Sequence, residues 1–402
     1  MTATTADTLR EALRKRSPQD PNYVTELVDQ LLRAATELGA SDLHLQPASD
    51  GFEVRWRIDG VLHPAAVLPA PVGAKVVARL KVLAELLTYK TEVPQEGRIR
   101  VPGEVEMRVS TLPTLHGEKA VVRLFSAAGR YLKLDDVGFP GELRDALRRL
   151  LGATSGAVLF TGPAGSGKTT TIYACLRELV AATGGRRSLA TLEDPVEVAL
   201  AGVAQSQVNP GAGFTMGVGL RALLRQDPEV IVVGEVRDRD TAEVAFQASL
   251  TGHLVLSTFH AGSAAEAVGR LGDMGIEPYL LRSGLLAVVG QRLVRALCEC
   301  SMEGDDLSQR LGLDVQRFRT PVGCPSCEGT GYKGRVVLAE MLSTESDEVG
   351  RAILDRADVA RVEAAAVSSG MVTRWARAKT AVEAGVTSPA EVRRVLGLSD
   401  RS

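Results

Sequence analysis

The residues Gly162-Pro163-Ala164-Gly165-Ser166-Gly167-Lys168-Thr169 fill every fixed position of the pattern G-x-x-x-x-G-K-[ST]. Glycine at these positions lets successive backbone N–H groups converge on phosphate oxygens, at a helix N-terminus whose dipole already favours anions. Lys168 then supplies a point charge to the β- and γ-phosphates, and Thr169 offers its hydroxyl to Mg²⁺, with Thr170 leading into the helix. The context agrees: Ala157 to Thr161 reads as a buried strand, and Thr170 to Val180 as a helix. This is a P-loop, and the chemistry it specifies is binding of ATP with Mg²⁺.

Hydrolysis needs a metal ligand and a positioned water as well. Two acidic clusters follow apolar runs: Glu193, Asp194 and Glu197 after Leu189 to Leu192, and Glu235 after Glu229 to Val233. In an open parallel sheet the carboxyl ends of strands face the ligand crevice. Glu193 and Glu235 are therefore candidates to activate water and to hold Mg²⁺ through water, and the residues alone do not say which does which. Asp194 and Glu197 suit helix caps or surface charge equally well. His253 and His260 flank the next strand, Leu254 to Thr258. A single histidine is more often a structural residue, and of the two His260, at the carboxyl end, is the one placed to sense a γ-phosphate.

There are five cysteines. Cys175, isolated in a helical stretch, reads as a small buried apolar residue. Cys298, Cys300, Cys324 and Cys327 cluster, and in a reducing compartment such a group points to metal rather than to disulfides. Cys324-Pro-Ser-Cys327 keeps CxxC spacing, whereas Cys298-Glu-Cys300 is one residue shorter. Four thiolates close a structural tetrahedral Zn²⁺ site.

The elements that must position these groups fall into two textures. Residues 1–20 read as a flexible tail. From Tyr23, Leu27, Val28, Leu31, Leu32 and Ala35 recur at helical spacing until Gly39. Phe52 to Ile58 alternates strictly, and Asp59-Gly60 before Val61-Leu62 reads as a type I′ hairpin. A second helix over 72–87 and short strands near 99–101, 105–110 and 119–125 complete a small α+β domain, 21–125. After a linker at 126–140, apolar strands alternate with helices, which predicts a parallel α/β sheet over 141–402. The cysteine insert at 298–327 belongs to this second domain, and a helical region starts near 345.

The whole chain of 402 residues carries a formal net charge of −2, so no global basic field recruits nucleic acid. The start is polar, unlike a signal peptide. No stretch reaches the roughly 18 apolar residues of a membrane helix; Leu280 to Leu297 comes nearest and is broken by Arg282, Arg292 and Arg295. These features predict a cytoplasmic protein.

The ordered set of P-loop, Thr191 to Glu197, Leu224 to Asp238 and Leu250 to His260 resembles the Walker A, Asp box, Walker B and His box of the secretion ATPase superfamily. Ser41-Asp-Leu-His-Leu, Pro94-Gln-Glu-Gly-Arg98, Arg108-Val-Ser-Thr-Leu-Pro, His116-Gly-Glu-Lys and Gln291-Arg-Leu-Val-Arg match too. The resemblance is to the type II secretion and type IV pilus assembly class, in a short form with few residues ahead of the smaller domain. It implies a RecA-like P-loop motor and a homohexameric ring, peripheral to the inner face of the cytoplasmic membrane and working on an inner-membrane platform protein. It also implies that Arg98 and Arg108, from the smaller domain, reach bound phosphate, that Glu193 is the water-activating base, and that Glu235 stands on the metal side. Retraction-type relatives usually lack the paired cysteines, which weighs toward assembly or secretion. A retraction or conjugation motor, or a weakly hydrolysing nucleotide switch, are the alternatives.

Overall fold

The structure, a computed structural model, describes residues 20–99, 107–124 and 133–397. The chain divides into two compact units, one comprising Met1–Gly129 with Leu297–Met302 and Pro321–Gly334, the other comprising the remainder. Residues 1–19 of the expected tail and 126–132 of the expected 126–140 linker lie outside the described residues, as do residues 100–106, on which parts of the strands expected near 99–101 and 105–110 fall; Leu134–Val137, inside the expected linker, is a 3-10 turn.

In the first unit, helix α1 (Tyr23–Glu37) precedes strands β1 (Asp42–Ala48), β2 (Gly51–Ile58) and β3 (Val61–Leu68). Helix α2 (Ala70–Leu83) then leads to β4 (Gln95–Ile99), β5 (Met107–Thr114) and β6 (Gly117–Leu124). The six strands form an antiparallel sheet in the order β3-β2-β1-β6-β5-β4. The helical stripe Leu27, Val28, Leu31, Leu32 and Ala35 and the alternating Phe52, Val54 and Trp56 are all buried in one core, together with Val76, Val77 and Leu80 of α2. Asp59 and Gly60 both have positive φ, 48° and 82°, as a type I′ turn requires. Lys81 is fully buried in α2, and its ammonium donates to Glu118 Oε1 at 2.8 Å and to Lys90 O at 2.8 Å. That pair accounts for the glutamate in the His116-Gly-Glu-Lys segment.

The second unit is built on a seven-stranded sheet in the order β15 (Tyr332–Ser343), β12 (Leu285–Leu297), β7 (Gly156–Thr161), β11 (Leu254–Phe259), β10 (Val230–Val233), β8 (Leu189–Glu193), β9 (Ala204–Gln207). From β12 to β9 every neighbouring pair is parallel. Four central strands, β7 (Gly156–Thr161), β8 (Leu189–Glu193), β10 (Val230–Val233) and β11 (Leu254–Phe259), are buried throughout, as strands covered on both faces must be. The connecting helices are α3 (Gly141–Leu151), α4 (Lys168–Thr183), α5 (Met216–Leu223), α6 (Arg239–Leu250), α7 (Ala264–Asp273) and α8 (Pro278–Gly284). This is the α/β class expected, a parallel-sheet unit preceded by a smaller α+β one.

Three strands of this sheet were not legible in the sequence, β9 (Ala204–Gln207), β12 (Leu285–Leu297) and β15 (Tyr332–Ser343), and neither was β1 of the first unit. A further two-stranded ribbon pairs β13 (Met302–Glu303) with β14 (Arg319–Thr320). The apolar stretch 280–297 resolves into the end of α8 and the long strand β12, and no helix among the described residues is long and apolar enough to cross a membrane. The helical region ends the chain as α9 (Asp347–Leu354), α10 (Val359–Ser368), α11 (Arg374–Glu383) and α12 (Pro389–Leu396). Each starts where a side-chain oxygen of Ser346, Asp358, Thr373 or Ser388 accepts a backbone N–H of its first turn.

The cysteine segments group with the first unit rather than the second. A bond from the Gly334 N–H to Asp59 Oδ2, at 2.8 Å, ties them to the β2–β3 turn.

Candidate nucleotide site

The phosphate loop runs from the end of β7 into α4. Gly162, Gly165 and Gly167 have φ of 151°, 75° and 92°. A Cβ on Gly162 would lie 2.5 Å from Gln291 O of β12 and 2.6 Å from Ser166 Oγ, so no larger residue fits there. Pro163, Ala164 and Gly165 form the exposed crest, Thr169 and Thr170 are half-buried, and Lys168 is buried beneath. The Lys168 ammonium donates to Gly162 O at 2.7 Å and to Pro163 O at 2.9 Å. Burial lowers its pKa to about 8; Arg292 pushes the same way and Glu235 opposes. Ser166 Oγ and Gln291 Oε1 are buried without a hydrogen-bond partner. A cationic, glycine-curved cradle with unsatisfied polar atoms fits a phosphate group and its metal.

The acids stand at the carboxyl ends of neighbouring strands. Glu193, ending β8, is buried. Its carboxylate accepts from Tyr173 Oη of α4 at 2.5 Å, Thr191 Oγ1 at 2.6 Å and Gln205 Nε2 of β9 at 3.1 Å. Burial, then the bond to Glu193, pushes the Tyr173 phenol well above its ordinary pKa, so it remains a donor. Gly234 lets the two strand ends approach: a Cβ there would meet both Glu193 Cα and Leu192 O at 3.2 Å.

Glu235 follows Gly234. Its Oε1 lies 3.0 Å from His260 Nε2, and its Oε2 accepts from Arg237 Nε at 2.6 Å. Burial and the Lys168 charge lower the His260 pKa, against the pull of Glu235. Lys168, Glu235 and His260 are thus one electrostatic group. His253 is separated from it: its Nδ1 lies 3.1 Å from Ala248 O at the end of α6, a structural contact. Asp194 is exposed and lies 3.9 Å from Arg237, while the Glu197 N–H donates to Tyr173 Oη at 3.2 Å.

Arg98 and Arg108 sit in the first unit, directly opposite one another on β4 and β5. Arg108 pairs with Glu96. The same rung continues through Arg123 on β6, Asp42 on β1 and Arg57 on β2. Like charges opposite one another on neighbouring strands disfavour the sheet, and buried Asp42 offsets part of this, with contacts to Arg123 Nε at 3.1 Å and Arg57 Nε at 3.4 Å.

The four clustered thiols lie within 4.8 Å of one another, with Cys298–Cys324 at 3.8 Å and Cys300–Cys327 at 3.9 Å. Zn–S bonds of about 2.3 Å in a tetrahedron imply S···S separations of roughly 3.8 Å. The short Cys298-Glu-Cys300 spacing therefore still delivers both sulfurs. Burial pushes the Cys300 thiol up to about 11. Burial also raises Cys327, but hydrogen bonds from the backbone N–H groups of Cys324 and Gly331 and from the Cys324 and Cys300 thiols together outweigh it and bring Cys327 to about 6.

Neither Tyr173 nor Gln205 was assigned to the site from the sequence. Tyr173 shares its helix with core residues and reads as one of them, and Gln205 lies on a strand without an apolar signature. Gln291 and Arg292 fell in a matching segment but had no role until β12 was seen to run beneath the phosphate loop.

A family profile described as "Type II/IV secretion system protein" matches residues 17–394. Among curated proteins, the type II secretion system ATPase E of Vibrio cholerae serotype O1 is 43% identical over 334 residues, covering 81% of this chain and 66% of that one. The type IV pilus assembly ATPase PilB of Thermus thermophilus is 39% identical over 366 residues, covering 88% and 41%. This chain thus spans about two-fifths of the pilus protein and just under two-thirds of the secretion protein. Among solved structures, the Legionella pneumophila ATPase DotB superposes with a TM-score of 0.68 at 22% identity, covering 94% of this chain and 97% of that one, a likeness of fold.

Proposed function

The chain belongs to the type II/IV secretion system protein family, and from that premise we propose that it is an ATP-hydrolysing motor that drives type II secretion or assembly of a pilus or pseudopilus. The observation that carries this reading is the group formed by Lys168, Glu235 and His260, in which buried Lys168 bonds the loop carbonyls at 2.7 and 2.9 Å and His260 stands 3.0 Å from Glu235. A nucleotide binder that only switches needs the cradle; the acids and histidine at the strand ends add what hydrolysis needs.

In the proposed mechanism Lys168 leaves the loop carbonyls for the β- and γ-phosphates, while loop N–H groups take the remaining oxygens. Thr169 and, through water, Glu235 would hold Mg²⁺, which would supply charge neutralisation to the phosphates. Glu193 orients and deprotonates the attacking water; its three donors fix its orientation and leave the carboxylate an acceptor. His260 holds Glu235 in place and registers the γ-phosphate. Arg98 and Arg108 stabilise charge on the transferring group as arginine fingers, worth roughly 10³–10⁵ in rate where such residues have been measured. The working assembly is a homohexamer at the cytoplasmic face of the inner membrane, acting on a platform protein. The cysteine cluster, with Cys298, Cys300, Cys324 and Cys327 as ligands of a structural Zn²⁺, favours the assembly or secretion branch over retraction.

Lys168→Ala tests the reading. Phosphate release from Mg-ATP should fall by more than about a hundredfold, the scale of losing a principal electrostatic stabiliser. Wild-type turnover in that variant would overturn the assignment.

A further inference from the structure

The segment 260–263 carries His260 away from β11, and each of its residues is hydrogen-bonded to a neighbouring element. Arg270 of α7 donates to His260 O. The Ala261 N–H donates to Thr161 Oγ1 at 3.0 Å, and that hydroxyl donates back to Ala261 O at 3.3 Å. Thr161 is the residue just before the phosphate loop. The Gly262 N–H donates to Glu266 Oε2 at 2.7 Å, and a Cβ on Gly262 would lie 2.2 Å from that same oxygen. Ser263 caps α7 by accepting the Glu266 N–H at 3.0 Å.

Two guanidinium groups converge on the Gly262 carbonyl: Arg292 of β12, whose Nη2 donates at 2.7 Å, and Arg374 of α11. Behind Arg374 stands Glu340 of β15, buried at 2% exposure. Its Oε1 accepts the Ala264 N–H at 3.0 Å and lies 3.3 Å from Arg374 Nη1, and its Oε2 accepts the Arg374 N–H at 3.0 Å. One carboxylate thus faces the first N–H of α7 and of α11, where helix dipoles favour a negative charge. A Cβ on Gly290 would press on Glu340 Cγ at 3.0 Å.

A buried acid among arginines is a poor way to gain stability, since apolar packing of similar volume serves as well or better. What the polar junction adds is a fixed position for one carbonyl. Resting on the hydrolysis reading above, we infer that Glu340 and Arg374 are positioning residues for that reaction. They fix Gly262, and through it the approach of His260 to Glu235, so that the C-terminal helices are mechanically joined to the reacting end of the nucleotide site.

The test compares Arg374→Ala, Arg374→Lys and Glu340→Gln with the wild type. The alanine variant should lose about tenfold or more in kcat for Mg-ATP, the scale expected when a reacting geometry loosens. Its Kd for ADP should stay within about twofold, the signature of a defect confined to the chemical step. The lysine variant should recover much of the rate, and hydrogen exchange in peptides spanning 258–268 should rise in the alanine variant. Glu340→Gln, which keeps the side-chain shape, should show the same pattern and carries the test if Arg374→Ala does not fold. A lowered urea midpoint with unchanged kcat per folded chain and unchanged exchange would overturn the inference, as would equal losses in kcat and ADP affinity. Exchange requires no turnover. A wild type that fails to hydrolyse ATP would therefore sink the proposed function while exchange still decides this inference, and wild-type turnover matched by Arg374→Ala would sink this inference alone.

Discussion

At the scale of single residues, burial tunes Lys168 for a charge it has yet to meet. Its pKa of about 8 in the free protein lies below the ordinary lysine value, with burial the main cause. Phosphate oxygens stabilise the ammonium and raise that value on binding. Below pH 7 the lysine is already protonated, so affinity should be flat; above pH 8 binding must take up a proton. The Kd for ADP should then weaken by up to about tenfold per pH unit until the bound-state pKa is reached. Calorimetric titration from pH 6.5 to 9.5 checks this, and a Kd that stays level to pH 9.5 would contradict it. The P-loop was legible because each position is dictated by local chemistry. The strand-end position singled out His260 over His253 in the sequence; what the packing adds is that His253 contacts a helix-end carbonyl and His260 a strand-end carboxylate.

At the scale of elements, polar pairs set into the core pin loops and strands. Lys81, buried in α2, is bonded to Glu118 of β6 and to the carbonyl of Lys90. Glu118→Ala leaves that ammonium buried without its partner and should destabilise the protein by about 3–5 kcal/mol, read as a shift of the urea midpoint. A change below about 1 kcal/mol, typical of exposed pairs, would mean that Lys81 reaches solvent. Cys324→Ser should lower bound zinc below one equivalent and reduce thermal stability, because ligand binding energy in such sites is folding energy. Wild-type protein purified without zinc, and indifferent to chelator, would remove the metal from the account. Elements with a strong period were legible, as Phe52, Val54 and Trp56 in β2 show. Strand β12 was not, because its apolar first half continues into Gln291, Arg292 and Arg295, which face the phosphate loop and the C-terminal helices rather than a uniform core.

At the scale of the whole molecule, the proposed mechanism assigns different residues to the two units. The second holds the phosphate cradle, the acids and the histidine; the first presents Arg98 and Arg108 on a rung shared with Arg123, Asp42 and Arg57. Arg98→Ala should leave ADP affinity within about twofold while lowering kcat, because its proposed help is to charge that develops in the transition state. An equal loss of affinity would make it a ground-state phosphate ligand instead. The α/β class was legible from alternating apolar strands and helices, but the grouping of the cysteine segments with the first unit was not, since it rests on tertiary contacts, the bond from Gly334 to Asp59 among them. On the proposed function the chain is an ATPase whose sites are completed in a ring. Its most direct test is the rate of Mg-ATP hydrolysis per subunit across protein concentration, with Lys168→Ala as the blank and sizing at each dilution. The rate should rise steeply as chains assemble; no hydrolysis at any concentration, or an undiminished rate from isolated chains, would rule out a ring-completed site.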